Sequence, residues 1–116
     1  MTREAVIYHN PACTKSRRAL ELLESRGLAP RVVLYLDTPP DAVQLRDLLR
    51  RLGIGARDLM RRHEAAYTDL ALDDVHDDET LIRAMVSHPV LIERPVVVVD
   101  GRAVIGRPPE RVLEIL

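Results

Sequence analysis

One side chain in this sequence is a strong candidate nucleophile. Cys13, the sole cysteine, follows Tyr8-His9-Asn10-Pro11-Ala12 and precedes Thr14-Lys15-Ser16-Arg17. These flanks are polar, turn-forming and basic. An isolated cysteine is often just a small buried apolar group, but such flanks do not suit a core position. A thiol where a turn enters a helix faces unpaired backbone N–H groups and the positive end of the helix dipole, and both favour the thiolate. Cys13 and Ser16 have the spacing of a Cys-x-x-Cys redox pair with serine in the second place. A dithiol protein resolves its own mixed disulfide. A chain with one cysteine cannot, so any redox cycle at Cys13 needs a thiol from another molecule, such as glutathione or a glutaredoxin. Ser16, one helical turn on, has two readings: a hydroxyl donor to the thiolate, or an ordinary first-turn serine.

Three arginines are candidates for holding an anion beside that thiol. Arg94 stands in Arg94-Pro95, directly before four valines. Arg107 follows Gly106 and precedes Pro108-Pro109. Arg61 lies in Leu59-Met60-Arg61-Arg62. Each alone reads as a surface arginine. Converging on the Cys13 helix start, they would bind a tetrahedral oxyanion through bidentate, charge-assisted bonds and lower the thiol pKa. Other chemistries find little support. The four histidines have no metal-ligand spacing and one cysteine cannot anchor a zinc site. No phosphate-binding or dinucleotide fingerprint occurs, and the acidic run 73–79 lacks a calcium-loop pattern. The first arginine after Cys13 is Arg17, too close for the Cys-x5-Arg loop of phosphatase-like enzymes.

The elements that must position these residues follow from periodicity and turn chemistry. Residues 5–8 read as a short buried strand. Residues 14–26 read as a helix with Ala19, Leu20, Leu22 and Leu23 on one side and Gly27 as its stop. Residues 31–36 read as a second strand, parallel to the first through a right-handed crossover. Thr38 before Pro39 reads as a helix cap, with Leu45, Leu48, Leu49 and Leu52 inward. Short helices are expected within 56–71, and a helix over 78–87 capped by Asp77. The four valines 96–99, Asp100-Gly101 and Arg102–Ile105 spell a hairpin with a type I′ turn. A last helix opens at Pro108-Pro109, with Val112, Leu113 and Leu116 inward. This βαβ…ββα order is the thioredoxin-like plan, an α/β fold with a mixed four-stranded sheet and a helical insertion at about 39–88 between its halves. A ferredoxin-like arrangement is the rival. In the thioredoxin-like plan the X-Pro bond before the third strand is usually cis and lies beside the redox cysteine, which would bring Arg94-Pro95 to Cys13; Pro95 is therefore expected to be cis.

Composition sets the outer limits. The chain has 116 residues, 47% apolar and 30% charged, which suits a single globular domain spanning 1–116. With no Trp or Phe, aliphatic side chains must build the core. A net charge of -1 argues against nucleic-acid or anionic-membrane partners. No signal-peptide pattern and no membrane-length apolar run is seen, so a cytoplasmic protein is expected; no metal or bound cofactor is expected either.

Several motifs in order resemble the glutaredoxin-coupled arsenate reductases, the ArsC family: Tyr8-His9-Asn10-Pro11-Ala12-Cys13 with Ser16-Arg17, Tyr35-Leu36-Asp37-Thr38-Pro39-Pro40, Leu59-Met60-Arg61, His88-Pro89-Val90-Leu91-Ile92-Glu93-Arg94-Pro95, and Arg107-Pro108 with Val112–Leu116. The resemblance implies the thioredoxin-like fold with a helical insertion. It implies that Cys13 attacks arsenate, that Arg61, Arg94 and Arg107 bind substrate, and that His9, Ser16 and Arg17 support the thiolate. Glutathione would be the co-substrate and glutaredoxin the partner that regenerates the thiol. Where enzymes of this family often have Cys-Gly-Thr-Ser-Arg, this chain has Cys13-Thr14-Lys15-Ser16-Arg17. Two alternatives remain open at this level: a thiol-redox protein of the same family acting on another substrate, and a regulator of the Spx type that binds RNA polymerase. The second commonly carries a Cys-x-x-Cys switch, which is absent here.

Overall fold

The computed structural model describes residues 3–116. These residues form two compact units. One runs through Thr38 and resumes at Arg94–Leu116; the other is Pro39–Glu93. The second unit therefore extends past the expected end of the insertion, because the short 3-10 turn Pro89–Leu91 and the bridge between Ile92 and Met60 belong to it.

The first unit is built on strands β1 (Ala5–Tyr8), β2 (Arg31–Val33), β3 (Val96–Val99) and β4 (Arg102–Ile105) and helix α1 (Thr14–Ser25). The sheet order is β2-β1-β3-β4. β1 pairs parallel with β2, Ile7 facing Val32, and antiparallel with β3, Ile7 facing Val97. Direct parallel pairing of β1 with β2 gives the thioredoxin-like plan rather than the ferredoxin-like rival. The valine run occupies a central strand, where burial on both faces suits an unbroken β-branched sequence. Asp100 and Gly101 take φ of 49° and 83°, the positive values a type I′ turn needs. Ile7, Ala19, Leu23, Val97, Val99 and Val112, each with 0% exposure, form the centre of one core with Ala5, Leu28, Val104 and Ile115. α1 and the C-terminal segment close it.

Three elements of this unit and the next differ from expectation. β2 stops at Val33 because Leu34 turns the chain: its carbonyl accepts the N–H groups of Asp37 and Thr38, at 2.9 Å each, and the Thr38 hydroxyl at 3.2 Å. Thr38 thus closes a turn and does not cap a helix. The cap is Asp41, whose carboxylate accepts Gln44 N–H at 2.8 Å while the Gln44 side chain accepts Asp41 N–H at 2.9 Å, a reciprocal capping box. The last helix is a 3-10 helix, Pro109–Ile115. Its i, i+3 repeat buries Val112 and Ile115 and leaves Leu113 and Leu116 only partly covered.

The second unit holds α2 (Ala42–Leu52), α3 (Ala65–Asp69) and α4 (Asp78–Ser87), with 3-10 turns at Ala56–Leu59, Leu72–Asp74 and Pro89–Leu91. α4, capped by Asp77 as expected, packs on α2 and on the turns at 56–59 and 89–91. The stretch 65–75, α3 and the 3-10 turn after it, is tied down by Arg57, which donates to the Tyr67 hydroxyl, the Leu72 carbonyl and the Val75 carbonyl. Tyr67 in turn donates to Asp73. No helix among the described residues is long and apolar enough to cross a membrane.

Candidate active site

Cys13 is the N-cap of α1, with an extended backbone (φ -95°, ψ 121°). The turn that delivers it is built by Asn10. The Asn10 carbonyl accepts Cys13 N–H at 3.0 Å, and its side-chain oxygen accepts Ala12 N–H at 3.0 Å. Arg17 braces the same turn from the first turn of the helix, donating to the Pro11 carbonyl at 2.7 Å and to Thr14 Oγ1 at 3.3 Å.

The Cys13 thiol is half-buried. Burial pushes its pKa up and is the largest single influence. The backbone N–H of Ser16, the Arg94 side chain and the backbone N–H of Lys15 all bond the sulfur, and the Arg94 charge adds to them. Together they outweigh burial and hold the thiol below its ordinary value. Helix-terminal amides and a guanidinium are the two stabilisers that lower cysteine pKa values generally.

Arg94 reaches the sulfur from the start of β3. The Arg94–Pro95 peptide bond is cis, and so is Arg107–Pro108, which the proline-rich sequence did not single out. Arg107 Nη1 donates to the Arg94 carbonyl at 3.1 Å. The structure thus gathers Cys13, Arg94 and Arg107 within the first unit.

The residues grouped around the thiol by sequence divide in their roles. Ser16 is fully buried, and its hydroxyl is engaged by other partners. It accepts Asn10 N–H at 3.1 Å and shares a 2.6 Å hydrogen bond with His9 Nδ1. Ser16 acts on the sulfur through its main-chain N–H; its hydroxyl locks the turn to β1. His9 is buried, and its pKa is lowered first by burial and then by the Arg17 charge, which favours the neutral imidazole. It serves this site as a hydrogen-bonding neighbour of Ser16. Arg17 likewise works on the turn and on His9.

Arg61 belongs to the second unit. Its guanidinium fork is engaged on every side: Nε with Glu64 at 3.0 Å, Nη1 with Glu93 at 2.8 Å and Nη2 with His63 Nε2 at 3.0 Å. Burial lowers its pKa, and the two carboxylates more than reverse this. Its backbone N–H donates to the Leu91 carbonyl at 2.7 Å. The sequence reading named none of these partners. The Arg61/Glu64 spacing was the one visible signal, whereas Glu93 comes close only through the Met60–Ile92 bridge. Among the described residues no group of three or more His, Cys, Asp or Glu side chains could hold a metal ion.

A family model described as the ArsC family matches residues 8–115, from the end of β1 to the C-terminal 3-10 helix. The chain belongs to the ArsC family. Among its relatives, an uncharacterized protein, YfgD of Escherichia coli strain K12, is 57% identical, with 100% of this chain and 99% of that protein aligned. A Neisseria meningitidis protein named arsenate reductase is 49% identical over 97% of this chain and 98% of its own. The solved structure of an arsenate reductase from Vibrio cholerae superposes with a TM-score of 0.97 at 50% identity, covering 100% of both chains. These ArsC-family likenesses agree with the thioredoxin-like fold seen in the sheet order.

Proposed function

We propose that this ArsC-family protein is an arsenate reductase that uses Cys13 as its nucleophile and an external thiol as its reductant. The observation that carries the reading is the placement of the Cys13 thiol as the N-cap of α1, where helix-terminal N–H groups and Arg94 act on the sulfur and favour the thiolate. The same groups that stabilise a thiolate can receive the negative oxygens of an oxyanion brought to it. The names borne by the Neisseria and Vibrio relatives supply the oxyanion.

In this mechanism the Cys13 thiolate attacks arsenic and displaces one oxygen as water. Arg94 and Arg107 neutralise the remaining oxygens as the arsenic–sulfur bond forms. Arg61 is proposed as a third substrate ligand on the family resemblance; to serve as one it would exchange its bonds to Glu64 or Glu93 for the substrate's oxygens. Glutathione then adds its thiol. Two sulfurs, one from Cys13 and one from glutathione, give up two electrons, As(V) becomes As(III), and Cys13 is left as a mixed disulfide. Glutaredoxin restores the thiol. A cytoplasmic setting, where thiol pools are reduced, suits such a cycle.

The test is arsenate-dependent NADPH oxidation in a system coupled through glutathione, glutaredoxin and glutathione reductase. Wild type turns over and Cys13→Ser does not. Arsenate-independent turnover of a disulfide substrate, with no arsenate-dependent rate using any thiol donor, would replace this reading with that of a general thiol-redox protein.

A further inference from the structure

Gly106 is buried at the end of β4, and its φ is not in the left-handed region. Space, not backbone freedom, is what this glycine supplies. A Cβ placed there would lie 2.9 Å from Pro95 Cγ, 3.2 Å from Val112 Cγ1 and 3.6 Å from Ala19 Cβ. The first distance is one that folded proteins do not tolerate without movement, and the atom that must move is in a buried ring next to Arg94. Residues 106 and 107 also bond the carbonyls on either side of the Pro95 ring. Gly106 N–H donates to the Pro95 carbonyl at 2.9 Å, and Arg107 Nη1 donates to the Arg94 carbonyl at 3.1 Å. The two carbonyls flanking the Pro95 ring are therefore both held from residues 106 and 107.

We infer that Gly106 and Arg107 seat Arg94 against the Cys13 sulfur, Gly106 by leaving room for the Pro95 ring and Arg107 by fixing the Arg94 carbonyl. Gly106 is thus a positioning residue for the reactive thiol. It touches no sulfur and acts through Arg94. This rests on Cys13 being the reactive thiol but not on the identity of the oxyanion, because alkylation reports the thiolate whatever it attacks.

The experiment is a double-mutant cycle read by the pH dependence of iodoacetamide alkylation of Cys13, with thermal melting recorded alongside. Gly106→Ala moves the thiol pKa up toward the ordinary value and slows alkylation at pH 7 on the order of threefold, a change that general loosening of the core does not produce. In an Arg94→Ala background, Gly106→Ala causes no further shift. Should Gly106→Ala fail to fold, Arg107→Lys tests the same seat with the charge kept and the guanidinium fork lost, and it too shifts the thiol only while Arg94 is present. An unchanged thiol pKa in a less stable Gly106→Ala protein overturns the inference. So does a shift, in either variant, that persists undiminished without Arg94.

Discussion

At the residue scale the site turns on one hydrogen-bonded sulfur. Two kinds of donor act on Cys13: the amides of residues 15 and 16, which any side chain at those positions would supply, and Arg94, which only this side chain supplies. Arg94→Ala is therefore expected to raise the thiol pKa and slow alkylation at neutral pH. Arg94→Lys is expected to recover part of the loss, since a lysine keeps the charge but not the planar fork. Ser16→Ala separates the amide from the hydroxyl. The Ser16 N–H remains, so the direct bond to sulfur survives, while the part-buried Asn10 N–H and the buried His9 Nδ1 lose a partner. A stability loss of about 1–3 kcal/mol is expected from such unpaired buried groups, measurable by urea unfolding. The chemical types of Cys13, Arg94 and Arg107 made them candidates in the sequence. The division of labour within Ser16 was not legible there, because whether amide or hydroxyl meets the sulfur depends on how the helix start packs against His9. Arg61 was legible as an arginine but not as one already flanked by two carboxylates, since Glu93 reaches it from a distant stretch of chain.

At the element scale the same contrast recurs. The hairpin, α1 and α4 were readable because each carries a local signal: Asp100-Gly101, a helix-spaced aliphatic face, Asp77 as cap. The start of α2 lies at Asp41 and not at the expected Thr38, because two good caps compete within a few residues. Asp41 wins by pairing with Gln44, leaving Thr38 to close the turn on Leu34. Asp41→Ala is expected to lower stability by about 1 kcal/mol and Thr38→Ala by less, with the Cys13 alkylation profile unmoved in both. The β1–α1 junction carries a pH dependence. His9 has a folded pKa below its unfolded value of 6.5, so between those two values the unfolded chain binds more protons. Stability then rises with pH across that window and is lost on acidification. Denaturant melts taken from pH 7 down to pH 5 are expected to show this slope in wild type and a flatter one in His9→Gln.

At the scale of the whole molecule, composition and order were enough to give the plan: a mixed sheet with two halves and a helical unit between them. The boundary at Glu93 was not legible, because the Met60–Ile92 bridge that draws residues 89–93 into the second unit is a non-local pairing without a local motif. The sole cysteine has the widest consequence. With no second thiol in the chain, any disulfide at Cys13 must be to another molecule, so a mixed-disulfide intermediate can be trapped at one known sulfur. The most direct measurement is the intact mass of the protein after incubation with glutathione, with and without arsenate and without glutaredoxin. The account predicts one glutathione on Cys13 that forms only when arsenate is present, is matched by released As(III), and is absent from Cys13→Ser. Equal modification with and without arsenate, or As(III) released by Cys13→Ser at the wild-type rate, would contradict it.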